Sequence, residues 1–295
     1  MIESIKGRKV LVTGGAGFLG RALIRRLTEA GAREVVVASR DEVKHSEIRK
    51  AFPGVTCYVC DVRDKERMRR AAYGVDIILH CAAMKRVESC TFDPQEAIKT
   101  NIHGSQNVIE AAIDNEVPIV IGVSSDKACN PVNLYGCTKA TMEHLFLSSN
   151  SYNLAGVPRF SVVRYGNVLG STGSIIPLFL EQKKTGVLTV TDEAMTRFVM
   201  TIDQAVDLVF EAIEQPLAGL FLPKGIPAMR VIDIAKTIAP EAEIKIIGAR
   251  PEEKLHEAMW QNPDGSFYSS DKPHRWYSET ELLSFLNREY PGWNA

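Results

Sequence analysis

The feature that most constrains the fold is a glycine-rich turn between an apolar strand and a helix. Residues Lys9–Thr13 form a continuous apolar run, which predicts a buried strand. Gly14, Gly17 and Gly20 follow in a G-x-x-G-x-x-G spacing that opens a helical pattern. Glycines here allow a tight turn and let the N–H groups of a helix N-terminus approach a pyrophosphate. The turn predicts dinucleotide binding, and an ordinary strand-to-helix turn is the alternative.

The same alternation of strand and helix continues along the chain. Further apolar strands are predicted at residues 34–38, 56–60, 76–80, 119–123 and 159–165. Apolar strands separated by charged helical segments predict a doubly wound parallel sheet covered on both faces, an α/β fold. A helix is predicted from Tyr135 to about Ser149. After Gly166 the pattern is mixed, with helices near 177–184 and 203–214 and a strand at 188–190. We therefore expect a dinucleotide-binding domain at 1–166 and a smaller substrate-binding lobe at 167–295, interleaved with the first.

Charge and cysteine content limit the classes of partner. The chain of 295 residues carries 35 basic and 36 acidic side chains, so nothing global favours nucleic acid or an anionic membrane. No run reaches the roughly 18 apolar residues of a membrane span, and no secretory signal is evident at the N-terminus. Six cysteines without a regular framework are typical of a reducing compartment. We expect a cytoplasmic protein with no metal site.

The end of the second strand bears on the choice of dinucleotide. An NAD site usually has an acidic residue about 20 residues after the glycine turn. Ser39 occupies that place, and the following Arg40 could pair with a 2′-phosphate. This favours NADP, while Asp41 leaves NAD open. Asp61 and Val62, after the third strand, would face the adenine, although a turn or capping role for Asp61 is equally compatible.

A tyrosine and a lysine lie one helical turn apart in the second half of the domain. Tyr135 and Lys139 are spaced Y-x-x-x-K, which places both on one helix face. The lysine charge can lower the pKa of the phenol, so that the tyrosine could act as a base toward a sugar hydroxyl. Taken alone, this spacing is also compatible with an ordinary solvated helix face.

Together with Ser125 and the glycine turn, this motif resembles the Ser/Thr-Tyr-Lys triad of the extended short-chain dehydrogenase/reductase family, whose fold is of the Rossmann type. Several segments, which span residues 7 to 260, resemble the inverting UDP-N-acetylglucosamine 4,6-dehydratases of the pseudaminic acid pathway. These segments are Ser124-Ser125-Asp126-Lys127, 80–85, 130–136, 164–168, 195–198 and 248–257. The chain departs from those relatives at Cys81, at Ser125 in place of threonine, and in the tail after Trp260.

The resemblance implies a cycle of oxidation, elimination and reduction. Tyr135 would take the proton of the C4 hydroxyl while hydride passes to NADP⁺, with Ser125 bonding the oxygen and Lys139 holding the ribose and the tyrosinate. Lys127 would then remove the C5 proton while Asp126 donates to the leaving C6 hydroxyl. Hydride returns to C6, and reprotonation inverts C5. The expected cofactor site comprises Thr13, Gly14, Gly15, Ala16, Gly17, Phe18, Gly20, Ser39, Arg40, Asp41, Asp61, Val62, Ala82, Tyr135 and Lys139.

Arginines are the candidates for the diphosphate of a UDP-sugar. Guanidinium groups bind phosphate oxygens through two parallel hydrogen bonds, and Arg197 and Arg250 are the candidates here. Lys85, Asn167 and Glu253 match positions that contact substrate in the resembled family, although Asn167 or Glu253 could be a turn or capping residue. We expect His80 to be a packed histidine. The resemblance also implies a homo-oligomer.

Two other functions remain open at this point. A UDP-hexose 4-epimerase or a retaining 4,6-dehydratase would share the cofactor site and the Tyr135–Lys139 pair. A non-catalytic NADP-binding regulator would share the fold, although such a protein would typically have lost the tyrosine or the lysine. The Asp126–Lys127 pair separates these alternatives, because an epimerase needs neither an acid at C6 nor a base at C5.

Overall fold

The structure is a computed structural model that describes residues 4–152 and 157–294. The chain divides into two compact units. One comprises Met1–Arg164 and Asp203–Leu222, and the other comprises Tyr165–Ile202 and Pro223–Ala295. The segment Asp203–Leu222 thus belongs to the first unit, although it follows the boundary expected at residue 166.

The described strands are β1 (Lys9–Thr13), β2 (Glu34–Ser39), β3 (Thr56–Val59), β4 (Ile77–His80), β5 (Ile119–Val123), β6 (Arg159–Val163), β7 (Asn167–Val168), β8 (Val187–Val190), β9 (Thr196–Met200), β10 (Leu220–Phe221), β11 (Ala228–Arg230), β12 (Glu243–Ile246), β13 (Ala258–Gln261) and β14 (Phe267–Ser269). The described α-helices are α1 (Phe18–Glu29), α2 (Glu42–Ala51), α3 (Lys65–Ala71), α4 (Val87–Phe92), α5 (Pro94–Ile98), α6 (Gly104–Asp114), α7 (Leu134–Ser148), α8 (Ile175–Lys183), α9 (Ile202–Glu214), α10 (Val231–Ile238) and α11 (Glu279–Glu289). A π-helical turn, Lys99–His103, joins α5 to α6.

A seven-stranded parallel sheet organises the first unit, with strand order β10-β6-β5-β4-β1-β2-β3. This is the doubly wound order, so the predicted α/β fold is confirmed. The order reverses at β1, which pairs with β2 on one side and β4 on the other. In sheets of this kind ligands bind beyond the carboxyl ends of the strands at such a reversal. The loops after β1, β2, β4 and β5 are therefore where a site is expected.

The strands form because their apolar runs are buried on both faces. Leu11, Ile78, Val120 and Phe160 from four strands are all fully buried and belong to one core cluster. The helices cover this sheet with one apolar face each, as Leu23, Ile24 and Leu27 do on α1. Among the described residues, no helix combines the length and the apolar character needed to cross a membrane.

The second unit is built from short pieces around its own core. Its sheets are the three-stranded β11-β9-β7, the parallel pair β12-β8 and the antiparallel hairpin β13-β14. Helix α11 begins with a capping box, in which Ser278 and Glu281 exchange side-chain and backbone hydrogen bonds. It buries Leu282, Phe285 and Leu286 in the core of this unit. No function is predicted from the sequence for the tail after Trp260. The structure shows that α11, within this tail, is part of the folded second unit.

Candidate active site

The glycine turn links β1 to the N-terminus of α1. The Gly14 N–H donates to the Ala38 carbonyl at 2.8 Å, and the Gly17 N–H donates to the Gly14 carbonyl at 2.9 Å. Gly17 is the N-cap of α1 and has no side chain to cover the first-turn N–H groups. Such groups, with the positive end of the helix dipole, favour a phosphate. The turn therefore fits the pyrophosphate of a dinucleotide.

Gly20 is required by the close contact between α1 and the turn. A Cβ at this position would lie 2.4 Å from the Gly15 carbonyl oxygen and 2.5 Å from Gly15 Cα. Both atoms are backbone, so the turn itself would have to move. We expect Gly20→Ala to cost about 1–3 kcal/mol of stability and to weaken dinucleotide binding at least tenfold, measured by thermal unfolding and calorimetric titration.

Gly219→Ala is the matched control for this substitution, because the nearest atom to its added Cβ is 4.0 Å away. We expect this variant to bind dinucleotide as the wild type does. Unchanged dinucleotide affinity in a folded Gly20→Ala variant would mean that the tight turn is not part of the cofactor site.

The ends of β1 and β4 are joined by a buried polar network. Thr13 Oγ1 and His80 Nδ1 lie 2.8 Å apart, and His80 Nε2 lies 3.0 Å from Ser105 Oγ. The Ala82 N–H donates to Thr13 Oγ1 at 3.3 Å. Burial lowers the pKa of His80 to about 3, and the charge of Lys139 acts in the same direction. His80 is therefore a neutral packing residue, and the Thr13 hydroxyl joins the end of β1 to the end of β4 and the segment after it.

The residues expected to distinguish NADP from NAD follow β2. Ser39 Oγ lies 2.7 Å from His45 Nε2, and the Asp41 side chain caps α2 by accepting from the Lys44 N–H at 3.0 Å. That hydrogen bond lowers the pKa of Asp41. Arg40 Nη1 lies 3.9 Å from Asp61 Oδ2 and its side chain is 60% exposed. Asp41 thus serves as the N-cap of α2. The Arg40 guanidinium, in contrast, is exposed to solvent and could contact a ligand.

Asp61 is held by an arginine two residues further on. Arg63 donates to Asp61 Oδ2 from Nε at 2.9 Å and from Nη2 at 2.6 Å, and the Arg63 backbone N–H donates to Oδ1 at 3.0 Å. Burial opposes ionisation of Asp61, but the hydrogen bonds from Arg63 outweigh burial and lower its pKa. The carboxylate therefore forms a turn and remains charged beside Arg40.

A carboxylate–lysine pair follows β5. Asp126 is fully buried, and its Oδ1 accepts from Ser125 Oγ at 2.9 Å and from Lys127 Nζ at 3.1 Å. The Lys127 side chain is 21% exposed. A proton can move along the Lys127–Asp126 hydrogen bond, which would leave a neutral amine and a carboxylic acid. Three predicted catalytic side chains are thus in direct contact.

Tyr135 and Lys139 lie one turn apart on α7. Burial raises the pKa of Tyr135 to about 12, while the charge of Lys127 and a hydrogen bond with Ser125 oppose this rise. Burial lowers the pKa of Lys139 to about 8, and the charge of Glu143 opposes that change. Lys139 Nζ donates to the Val123 carbonyl at 2.5 Å. Lys127 is therefore a second cation that acts on the phenol, and the effect of Lys139 on the Tyr135 pKa stays a prediction.

Gly136 allows α7 to approach the loop that carries Lys127. A Cβ on Gly136 would lie 2.3 Å from the Lys127 carbonyl oxygen, so only glycine permits this contact. Asn101, in the π-helical turn, accepts from the Met84 N–H at 2.8 Å and donates to the Met84 carbonyl at 2.9 Å and to Thr138 Oγ1 at 3.0 Å. It joins the loop after β4 to the helix that carries Tyr135.

The sequence analysis missed Asn101 and Glu143 as parts of this site. Glu143 lies on α7 and forms a buried ion pair with Arg164. A signal for Glu143 exists, because it follows Lys139 by the same four residues that separate Tyr135 and Lys139. Asn101 gives no comparable signal, since its partners are distant in sequence. Lys85 lies in the same unit, between Met84 and the N-cap residue Arg86 of α4.

Four of the expected substrate-binding residues belong to the second unit. Arg197, on β9, donates to the Thr196 carbonyl at 2.7 Å, and its Nε lies 4.0 Å from the buried Glu257 carboxylate. Arg250 and Glu253 share a turn in which the Glu253 N–H donates to the Arg250 carbonyl at 3.0 Å. Asn167 pairs with Val199 between β7 and β9.

Glu253 carries a buried oxygen that suggests a ligand. Its Oε2 is shielded from solvent and makes no hydrogen bond with the described residues. Buried acceptors of this kind normally have a donor, and leaving one unsatisfied costs free energy. A hydroxyl or amide group of a bound substrate could supply that donor.

Known proteins resemble the chain over most of its length. Its sequence is 39% identical over 328 residues to a UDP-N-acetylglucosamine 4,6-dehydratase (inverting) of Campylobacter jejuni, covering 95% of this chain and 97% of the relative. It is 40% identical over 263 residues to a UDP-glucose 4-epimerase of Rickettsia massiliae, covering 85% and 77%. The solved structure of Pen from Bacillus thuringiensis matches with a TM-score of 0.89 and 33% identity, covering 97% and 98%.

The family model for "Polysaccharide biosynthesis protein" matches residues 10–275, which include the glycine turn, the Ser125–Lys127 segment, the Tyr135–Lys139 helix and the arginines of the second unit. These matches confirm the resemblance that the motifs indicated. The chain therefore belongs to the polysaccharide biosynthesis protein family and has the fold of the extended short-chain dehydrogenases/reductases.

Proposed function

We propose that the protein is an NADP-dependent inverting 4,6-dehydratase that acts on UDP-N-acetylglucosamine. The observation that carries this proposal is the hydrogen-bonded Asp126–Lys127 pair beside Ser125 and Tyr135. It provides an acid and a base next to a tyrosine and a serine suited to oxidising an alcohol. The C. jejuni relative, named for this reaction and similar over nearly its whole length, supports the choice.

Tyr135 and Ser125 are proposed to activate the C4 hydroxyl. Ser125 holds the hydroxyl oxygen by a hydrogen bond while the phenolate oxygen of Tyr135 accepts its proton. Because burial raises the pKa of Tyr135 to about 12, positive charge is needed nearby to make it a base. Lys127 supplies part of that charge, and Lys139 stabilises the ribose and the tyrosinate. A dinucleotide held at the glycine turn would supply a hydride acceptor for C4 and a hydride donor for C6.

Asp126 and Lys127 are proposed to carry out the elimination. Oxidation at C4 makes the C5 proton acidic, because the resulting carbanion is conjugated with the ketone. Transfer of one proton from Lys127 Nζ to Asp126 Oδ1, 3.1 Å away, produces a neutral amine and a neutral acid together. Burial of Asp126 favours this neutral pair over the ion pair. The amine then removes the C5 proton, and the acid protonates the departing C6 hydroxyl.

The second unit is proposed to bind the UDP moiety and the sugar. Arg197 and Arg250 are assigned to the diphosphate, because a planar guanidinium fits two phosphate oxygens. Glu253 is assigned to a sugar hydroxyl or the acetamido N–H, either of which would satisfy its buried oxygen. Lys85 and Asn167 complete the proposed set.

The preference for NADP rests on the residues after β2. We expect Arg40→Ser to weaken NADP binding about 10–100-fold, because a charge-assisted hydrogen bond to the 2′-phosphate is lost, and to leave NAD binding unchanged. Calorimetric titration with both dinucleotides measures this. Arg33→Ser, which removes another exposed arginine of the same unit, is the control. Equal weakening for both dinucleotides would contradict the assignment.

Proton NMR of UDP-N-acetylglucosamine, incubated with the protein and NADP in deuterated buffer, tests the proposed reaction. A 4-keto-6-deoxy product with deuterium at an inverted C5 is the expected result. A C4 epimer would instead support the second candidate, a 4-epimerase, which the R. massiliae relative favours. A retained C5 configuration would point to a retaining dehydratase, and an unchanged sugar would overturn the proposal. Membership of the pseudaminic acid pathway, a homo-oligomeric state and a cytoplasmic location remain predictions.

A further inference from the structure

A buried ion pair joins the helix of the catalytic tyrosine to the end of β6. Glu143 follows Lys139 by one turn of α7 and Tyr135 by two, so the three side chains share one side of the helix. Arg164, directly after β6, donates to both Glu143 oxygens, from Nε at 2.9 Å and from Nη2 at 2.5 Å. Only 11% of the Arg164 side chain and 7% of the Glu143 side chain are exposed. A two-point contact of this kind fixes orientation as well as separation.

Glu143 also acts on the Lys139 ammonium. Lys139 is buried and donates to the Val123 carbonyl of β5, an arrangement that holds the amine in place but does not offset the cost of burying its charge. The ionisable groups that interact with it are Glu143 on its own helix and His80 and Cys81 at the end of β4. His80 is neutral because its pKa is about 3, and the Cys81 thiol stays protonated because its pKa is raised to about 12. Among the described residues, this leaves Glu143, one turn further along α7, as the acidic group that raises the Lys139 pKa against the effect of burial.

Arg164 connects the same pair to the loop of the acid and base. Besides Glu143, the Asp126 carboxyl in the segment after β5 also acts on Arg164. Burial alone would lower the pKa of Arg164, but Glu143 outweighs burial and raises it. The Ser124 N–H donates at 2.7 Å to the carbonyl of Val163, the residue before Arg164. This hydrogen bond ties the residue before Arg164 to the segment that carries Ser125, Asp126 and Lys127.

We propose that Glu143, clamped by Arg164, is a positioning residue that fixes the Tyr135–Lys139 face of α7 against the ends of β5 and β6 and serves as the counter-ion of Lys139 one helical turn away. This inference rests on the proposed function, because the importance of Lys139 for catalysis follows from that proposal. A purely structural role is the competing explanation. Buried ion pairs are weak evidence for stability, since well-packed apolar groups often replace them without loss.

The direct test is a titration of Lys139 in the full-length protein. Lysines labelled with ¹³C at Cε are followed by NMR, and the Lys139 signal is identified by its loss in Lys139→Met. We expect a wild-type midpoint below the ordinary lysine value of about 10.4. In Glu143→Gln the midpoint should fall by about 1 further pH unit, because the anion is removed while the Arg164 charge remains. An unchanged midpoint would overturn the proposal.

The pH profile of turnover gives the catalytic readout. Lys139 acts in its protonated form, so activity is lost as pH rises through its pKa. Lowering that pKa in Glu143→Gln should therefore move the alkaline limb to lower pH by a similar amount. Glu143→Asp keeps the charge and should keep the limb in place, whatever its maximal rate. A loss of rate that is equal at all pH values in Glu143→Gln would indicate a structural role alone.

A control variant and a double variant complete the test. Glu110→Gln removes an ion-paired glutamate on another helix, α6, and should leave both the titration and the pH profile unchanged. If Glu143→Gln gives no cooperative unfolding transition, the double variant Glu143→Gln/Arg164→Met removes both charges together. Its Lys139 midpoint should still lie below that of the wild type. The titration needs no substrate, so failure of the proposed dehydratase activity and failure of this inference are separate results.

Discussion

Replacing Lys127 by alanine is expected to stop the reaction after the oxidation of C4. The variant lacks the base for the C5 proton, so elimination should slow by about 10²–10⁴-fold, the usual contribution of a positioned acid or base. Tyr135 and Ser125 remain, so oxidation at C4 should still occur, although more slowly, because the charge of Lys127 no longer opposes the rise in the Tyr135 pKa. In a single turnover with enzyme in excess, absorbance of the reduced nicotinamide should therefore appear and persist. NMR in deuterated buffer should show almost no deuterium at C5.

Lys127→Met is the companion variant, because it fills the space of the lysine stem beside the buried Asp126. It separates loss of the base from collapse of the loop, and both variants should give the same product pattern. Lys65→Ala, which removes an exposed lysine paired with Glu110, should behave as the wild type. Wild-type deuterium incorporation in Lys127→Met would assign the base to another residue.

The first unit could be predicted from the sequence because its strands are long, apolar and separated by clear helical segments. The predicted bounds of β1 and β5 match the structure, and β2, β3 and β4 differ by a single residue at one end. β1, β2, β4 and β5 are mostly buried, which explains their uninterrupted apolar runs, whereas β3 is a partly exposed edge strand. The predicted strand at 159–165 ends earlier, at Val163.

The second unit was harder to predict because its sheets consist of short, distant strands. β7 has two residues and β11 has three, too few to show a period. β12 pairs in parallel with β8, more than fifty residues earlier, and no local pattern reports such a pairing. Helix α11 does carry a local signal, the capping box of Ser278 and Glu281, which the sequence analysis did not use.

In the candidate site, too, relations between residues close in sequence could be predicted, whereas contacts between distant residues could not. Tyr135 and Lys139 were found because their relation is set by one helical turn. The role of Asp41 could not be settled in advance, because its capping bond depends on where α2 begins. The effect of Lys127 on the Tyr135 pKa, and the hydrogen bond from the Lys139 amine to the Val123 carbonyl of β5, could not be predicted. Both follow from the packing of α7 against the sheet and the loop after β5, and neither has a sequence signature.

Replacing Tyr135 by phenylalanine is expected to block the reaction before any proton leaves C5. The phenyl ring fills the same buried site, so folding and dinucleotide affinity should stay near wild type, while oxidation at C4 loses its base and slows by about 10²–10⁴-fold. Tyr268→Phe is the matched control, because that buried tyrosine contacts only backbone groups of Ile226 and His274 through its hydroxyl. It should retain activity. In a single turnover, Tyr135→Phe should give no reduced nicotinamide.

The two substitutions together test the order of the steps. If oxidation must precede elimination, the double variant Tyr135→Phe/Lys127→Met should match Tyr135→Phe alone, with neither reduced nicotinamide nor deuterium at C5. The Lys127 defect is then hidden, because its step is never reached. A double variant that accumulates reduced nicotinamide would show that Tyr135 is not the base for C4. C5 deuteration in Tyr135→Phe alone would contradict this order, because it would mean that Lys127 removes the C5 proton before C4 is oxidised. An unactivated C5–H bond is not acidic enough for that step, so no such deuteration is expected.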